Sequence, residues 1–170
     1  MNRLILRQKA EILSRMIIST REDYFSEGVT EIQKGLLETL VGAGIWYLPS
    51  SVELYTGMIS EAAYQAILDD PYGTKLVEEH RYPRKVAGNR VYNEYFDQIT
   101  RDGRGLMNLY INSFGRFNLV LKEENGRLKP FQRVETFVSP EISYQQAGIN
   151  LVPFSVDHYK NYKSIRRGRR

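Results

Sequence analysis

Apolar residues at Ile5, Ile12, Leu13, Met16 and Ile17 recur at three- and four-residue intervals, which predicts an amphipathic helix from Arg3 to Ile18. A second helix is expected with Ser26 as its cap and Val29, Ile32, Leu36, Leu37, Leu40 and Val41 as one buried face, ended by Gly42 and Gly44. The run Ile45-Trp46-Tyr47-Leu48-Pro49 follows, and the single tryptophan is assigned to the core. Ser50-x-x-Glu53 has the form of a capping box for a third helix carrying Leu54, Ala62, Ala63, Ala66 and Ile67. Asp69-Asp70-Pro71-Tyr72-Gly73 reads as a turn.

Beyond this turn the pattern changes. Thr74 to Val77 is a short strand-like run leading into Glu79-His80, and Arg90 to Thr100 places Val91, Tyr95 and Ile99 on one side of a helix. Phe117 to Leu121 is a second strand-like run, followed at once by a helical segment from Lys122 to Lys129 that Pro130 stops. Ser139-Pro140-Glu141 opens another short helix, because proline is tolerated in a first turn. The expected fold class is α+β, one compact domain with a helical scaffold over residues 1–72, a mixed region over 73–158 and a basic, flexible tail over 159–170.

Charge divides along the same line. Residues 1–78 hold seven Lys/Arg against eleven Asp/Glu, residues 79–158 hold eleven against nine, and residues 159–170 hold six basic residues and no acidic one. A polyanion is therefore drawn to the second half and the tail, where Arg166, Arg167, Arg169 and Arg170 either contact nucleic acid or form a solvated end. The chain has no cysteine, which excludes disulfides and thiolate zinc sites and leaves oxygen or imidazole ligands suited to magnesium or manganese. No apolar run approaches membrane-spanning length and no leader-like apolar segment opens the chain, so the expectation is a soluble, cytoplasmic protein without a membrane partner.

Only two histidines occur, and one lies in Glu78-Glu79-His80-Arg81-Tyr82-Pro83-Arg84-Lys85. Together with Phe117-Asn118-Leu119-Val120-Leu121-Lys122-Glu123-Glu124-Asn125-Gly126-Arg127-Leu128-Lys129, this stretch resembles the His-Asn-His nuclease family, the ββα-metal fold, in its His-Asn-Asn form. The resemblance covers about a quarter of the chain and implies a small ββα-metal core within residues 73–158. It implies a metal-dependent DNA endonuclease of restriction or phage type, using a divalent metal, Mg or Mn. In it His80 is the general base, Glu79 and Asn125 are metal ligands, and Asn118 holds the loop and orients the histidine. Arg81, Arg84 and Lys85 would clamp the DNA backbone, and Arg127 and Lys129 would contact phosphate. One such site cuts one strand, so a double-strand break implies a homodimer.

The chain departs from the family in having Glu79 where aspartate is usual and in lacking the cysteine pairs that staple many members. Glu124 or Arg127 are alternatives to Asn125 at the helix position. Asp157-His158 is a second acid–histidine pair, followed by Tyr159 and Tyr162 interleaved with Lys160 and Lys163, which either stack on bases or pack on the body. Two further readings stand beside the nuclease: a non-catalytic nucleic-acid-binding protein using the basic loop and tail, and an interaction module that binds no nucleic acid.

Overall fold

The first helix, α1 (Arg3–Ser19), begins at Asn2, whose side chain accepts from the Ile5 N–H at 3.1 Å, and it buries Leu6, Ala10, Leu13 and Ile17. A short α2 (Arg21–Phe25) follows, and Ser26 ends it instead of capping the next helix. That role falls to Thr30, which forms a reciprocal capping box with Gln33 at the start of α3 (Glu31–Trp46). These elements belong to a computed structural model that describes residues 1–167; residues 168–170 and the side chains of Arg166 and Arg167 lie outside the described residues, and with them the expected contacts of Arg166, Arg167, Arg169 and Arg170.

Gly42 and Gly44 do not stop α3, which runs through both to Trp46. Gly42 lets α5 (Arg84–Asn93) approach: a Cβ there would lie 2.0 Å from the Arg84 carbonyl oxygen, and one on Gly88 would lie 1.9 Å from that of Glu38. Backbone thus meets backbone at the crossing. The contact turns Glu38, Val41 and Ile45 inward and leaves Ile32, Leu36 and Leu40 exposed, Ile32 at 85%, where a single buried face was expected. Glu38 is satisfied by the Tyr24 hydroxyl at 2.9 Å and the Asn89 amide at 2.7 Å, which joins α2, α3 and α5 through one buried carboxylate.

The helix expected after Ser50 is a 3-10 turn, Val52–Leu54, followed by a strand, β1 (Tyr55–Ser60). Ser60 then caps α4 (Glu61–Asp69), accepting from the Ala63 N–H at 3.1 Å. Next come β2 (Leu76–His80), α5, α6 (Arg104–Leu109), a π-turn over Tyr110–Phe114, and β3 (Phe117–Leu121), whose bounds are those expected from the sequence. The remaining elements are α7 (Lys122–Leu128), α8 (Pro140–Gln146), β4 (Leu151–Pro153) and α9 (Val156–Arg167). The helix expected from Arg90 to Thr100 is shifted toward the N-terminus, as α5.

The four strands form one mixed sheet in the order β2-β3-β1-β4, with β1 parallel to β3 and the other pairs antiparallel. The fold is α+β, as expected. One face of the sheet joins the large core through Tyr55, Ile59, Phe117 and Leu119, and the other packs Val120 against Leu128, Tyr144 and Ile149. Because β1 lies inside the sheet, the first half of the chain contributes to the structure that holds β2 and β3 and is more than a separate helical scaffold.

The stretch expected as a flexible tail from residue 159 is helical to Arg167, and Tyr159 and Tyr162 are buried. The Tyr162 hydroxyl accepts from the Leu76 N–H at 3.1 Å and donates to the Thr74 carbonyl at 2.9 Å, while Tyr159 and Lys163 both reach Glu78. These tyrosines pack on the body, and α9 straps the edge strand that carries His80. No helix among the described residues is long and apolar enough to cross a membrane.

Candidate active site on an edge strand

The strands β2 and β3 pair with Glu79 opposite Asn118 and His80 opposite Phe117, and α7 follows β3 without a break. Strand alternation sends Glu79 and Asn118 to one face and His80 and Phe117 to the other. Glu79 and His80 nevertheless border one cavity, because β2 is an edge strand and the cavity wraps around that edge. The cavity measures about 370 Å3 and is lined by Trp46, Glu78, Glu79, His80, Arg84, Asn125 and Gln132 among others.

His80 is held by rings. Trp46 lies against it at 4.6 Å between centroids and Phe117 at 6.2 Å. Trp46 is thus not a core residue as expected: it is 46% exposed and roofs the histidine. Burial lowers the His80 pKa, opposed by the Phe114 backbone carbonyl at the ring and by the charge of Glu78. Its Nδ1 is buried and, among the described residues, has no hydrogen-bond partner. A buried polar atom left unpaired costs about 1–3 kcal/mol, so it is a place where a functional reason is to be sought.

Glu79 is 5% exposed, and burial pushes its pKa up to about 7, against the stabilising hydrogen bonds from Tyr144 and Gln132 and the charge of Arg81. Gln132 donates to its Oε1 at 2.6 Å, and the Tyr144 hydroxyl donates to Oε2. A carboxylate whose folded pKa is raised holds its proton while the unfolded chain has already released it, so it favours the folded state at low pH. Stability attributable to Glu79 is full below the ordinary glutamate pKa of 4.5 and is lost as pH rises through about 7. Denaturant titrations of Glu79→Gln across that window are expected to show a flatter dependence of stability on pH than the parent.

Asn118 does not touch His80, for which it was the expected orienting residue. It is buried on the opposite face, accepts from the Thr56 hydroxyl, and hydrogen-bonds Tyr144. Its hydrogen bonds lead through Tyr144 to Glu79, while Trp46, Phe117 and the Phe114 carbonyl lie at the ring of His80. Asn125 lines the cavity with Glu79 and His80. Glu124, the alternative at that helix position, is occupied structurally: it accepts from the Leu121 N–H at 2.9 Å and from the Ser60 hydroxyl, which caps α7 and ties it to β1.

The basic residues are dispersed. Arg84 borders the cavity and lies 5.9 Å over the Trp46 ring, Lys85 is exposed on α5, and Arg81 points to a second cleft and pairs with Glu141. Arg127 and Lys129 are exposed and border neither the cavity nor that cleft, Arg127 pairing with Glu124 at 3.6 Å. His158 is exposed on α9, its ring 5.4 Å from that of Phe154.

Trp46, Gln132 and Tyr144 were not legible as site residues, since each is far from His80 in sequence and carries no motif. Among the described residues no three His, Cys, Asp or Glu side chains come together as a metal-binding group. The donors that line the cavity with His80 are two carboxylates, Glu78, already engaged by Lys163 and Tyr159, and Glu79, with the amides of Asn125 and Gln132, an all-oxygen set. Magnesium is commonly held by one or two carboxylates with the rest of its shell from water and substrate phosphate, and this set fits that pattern. Compared with protein-family models, with curated proteins and with solved structures, the chain matches none of them.

Proposed function

We propose that this protein is a metal-dependent endonuclease that hydrolyses phosphodiester bonds in DNA, with His80 as general base. What supports the reading most is His80 itself: an imidazole kept neutral by burial, with an unpartnered Nδ1, on a strand–strand–helix unit whose cavity also carries Glu79 and Asn125. In the tautomer protonated at Nε2, the Nδ1 lone pair, closed off in this structure, would be opened to the cavity by substrate binding and take a proton from water as the water oxygen bonds to phosphorus; the bond from phosphorus to the 3′-oxygen breaks, and the leaving oxygen takes a proton from solvent. Glu79, Asn125 and Gln132 would hold a magnesium or manganese ion, which stabilises charge on the phosphate and the leaving oxygen. Tyr144 and Asn118 position Glu79 from behind. Arg84, beside the cavity, attracts the DNA backbone. A double-strand cut requires two sites, hence a homodimer.

The test is cleavage of supercoiled plasmid with magnesium or manganese, with a chelator as control. Nicked and linear DNA are expected in metal and none in chelator, and Glu79→Gln should slow cleavage by at least roughly tenfold. DNA that is bound but uncut in both metals would overturn the reading in favour of a non-catalytic nucleic-acid-binding protein.

A further inference from the structure

The register of β2 with β3 continues one step past the strand ends. The Arg81 N–H donates to the Arg116 carbonyl at 3.0 Å, so two arginines stand directly opposite each other, next to the pair Glu79–Asn118 and on the same face. Like charges directly opposed across a ladder are destabilising. Arg81 pairs with the exposed Glu141, and its charge also acts on buried Glu79. The Arg116 side chain is half-buried and, among the described residues, has neither an ion pair nor a hydrogen bond.

Both arginines open onto a cleft of about 740 Å3 between the sheet and α8. Its floor is fixed: Asn118 accepts from the Thr56 hydroxyl and hydrogen-bonds Tyr144, and Tyr144 anchors to buried Glu79. Its walls include apolar Met58, Ile149 and Leu151, with the amides of Gln145 and Asn150 beside them. The volume lies in the range of small-ligand sites, which combine apolar walls with a few fixed polar groups. An opposed pair of guanidinium groups offers two planar forks to one anion, and phosphate oxygens match that geometry.

We propose that this cleft binds a phosphate ester of nucleotide size, its phosphate held between Arg81 and Arg116 and its base and sugar lying on the Met58–Ile149–Leu151 wall. This deepens the nuclease reading, since the cleft shares the sheet face of Glu79, a proposed metal ligand: the ligand is either a free mononucleotide or one nucleotide of a strand passing the cavity. Glu141 competes with the phosphate for Arg81.

Titration calorimetry with deoxynucleoside monophosphates, the matching nucleosides, inorganic phosphate and a short single-stranded oligonucleotide tests this without metal. The monophosphate is expected to bind at least tenfold more tightly than the nucleoside. Arg116→Gln should weaken it at least tenfold, Glu141→Gln should tighten it, and Lys160→Gln, a charge loss on exposed α9, should leave it unchanged. An oligonucleotide preferred to the monophosphate and equally sensitive to Arg116→Gln identifies a strand subsite; the reverse preference identifies a free nucleotide. No monophosphate or oligonucleotide binding, equal binding of nucleoside and monophosphate, or indifference to Arg116→Gln overturns the proposal. Plasmid cleavage is a separate readout: its absence with nucleotide binding intact removes the nuclease reading and leaves the cleft assignment standing.

Discussion

Replacing His80 by alanine is expected to lower plasmid cleavage by roughly 10²–10⁴-fold, the usual contribution of a general base, while the affinity for the same DNA in a non-cleaving buffer stays within about twofold. The parent's rate should rise with pH as the imidazole becomes neutral. Because burial lowers the His80 pKa, this acidic limb should lie below the ordinary histidine value of 6.5 and be missing from the residual activity of the variant. A His80→Ala enzyme that cuts as fast as the parent would remove His80 as base, and His158, the other histidine, would be the next to replace. His80→Ala also leaves Trp46 without its ring partner, so near-ultraviolet circular dichroism should report the loss even if no cleavage assay succeeds.

The second large effect concerns the fold. Gly88→Ala is expected to cost about 3 kcal/mol, at the upper end for an overpacked core, because the added methyl would meet the Glu38 backbone carbonyl, and a backbone cannot rotate aside as a side chain can. For a chain of this size that corresponds to a fall in melting temperature of roughly 10 °C, measurable by calorimetry. Gly126→Ala serves as the contrast, since a Cβ there meets nothing within 4 Å. It should be neutral or slightly stabilising in the exposed middle of α7. Equal melting temperatures for the two variants would show that α3 and α5 are not in backbone contact.

The same glycines explain where the sequence misleads. Gly42 and Gly44 have the look of a helix stop, yet their lack of a side chain serves helix approach: Gly42 admits α5, and a Cβ on Gly44 would lie 2.6 Å from a methyl of Leu13 on α1. Once α5 packs on the glycine side, Ile32, Leu36 and Leu40 have nothing to bury against, although their spacing alone marks them as core. β1 was hidden for a different reason. Ser51, Glu53 and Ser60 all carry capping chemistry, and Thr56-Gly57-Met58 has no strict alternation to mark a strand. β3 and α7 were legible because a run that is apolar except for Asn118 passes through Lys122 into Glu123 and Glu124, which favour a helix N-terminus.

For the site, the local pair Glu79–His80 and the helix residue Asn125 could be read from motif order. What holds them could not. Tyr144 and Gln132 reach Glu79 from elements that follow β3, and Trp46 reaches His80 from the end of α3. Arg116 shows the limit most clearly: alone in the sequence it is one more arginine before a strand, and only the register that sets it against Arg81 gives it meaning.

The place of β1 in the sheet bears on how the protein is made. Its neighbours are β3, through Tyr55 with Phe117, and β4, through Ser60 with Leu151, so during synthesis this strand leaves the ribosome long before either partner exists. The helices α1, α3 and α5 can meet early, but the sheet can close only when the last part of the chain has emerged. Until then β1 has two unpaired edges, and β2 lacks the α9 strap that holds its backbone through Tyr162. A nascent or truncated chain without β4 and α9 would thus carry the Glu79–His80 dipeptide without the architecture that aligns it.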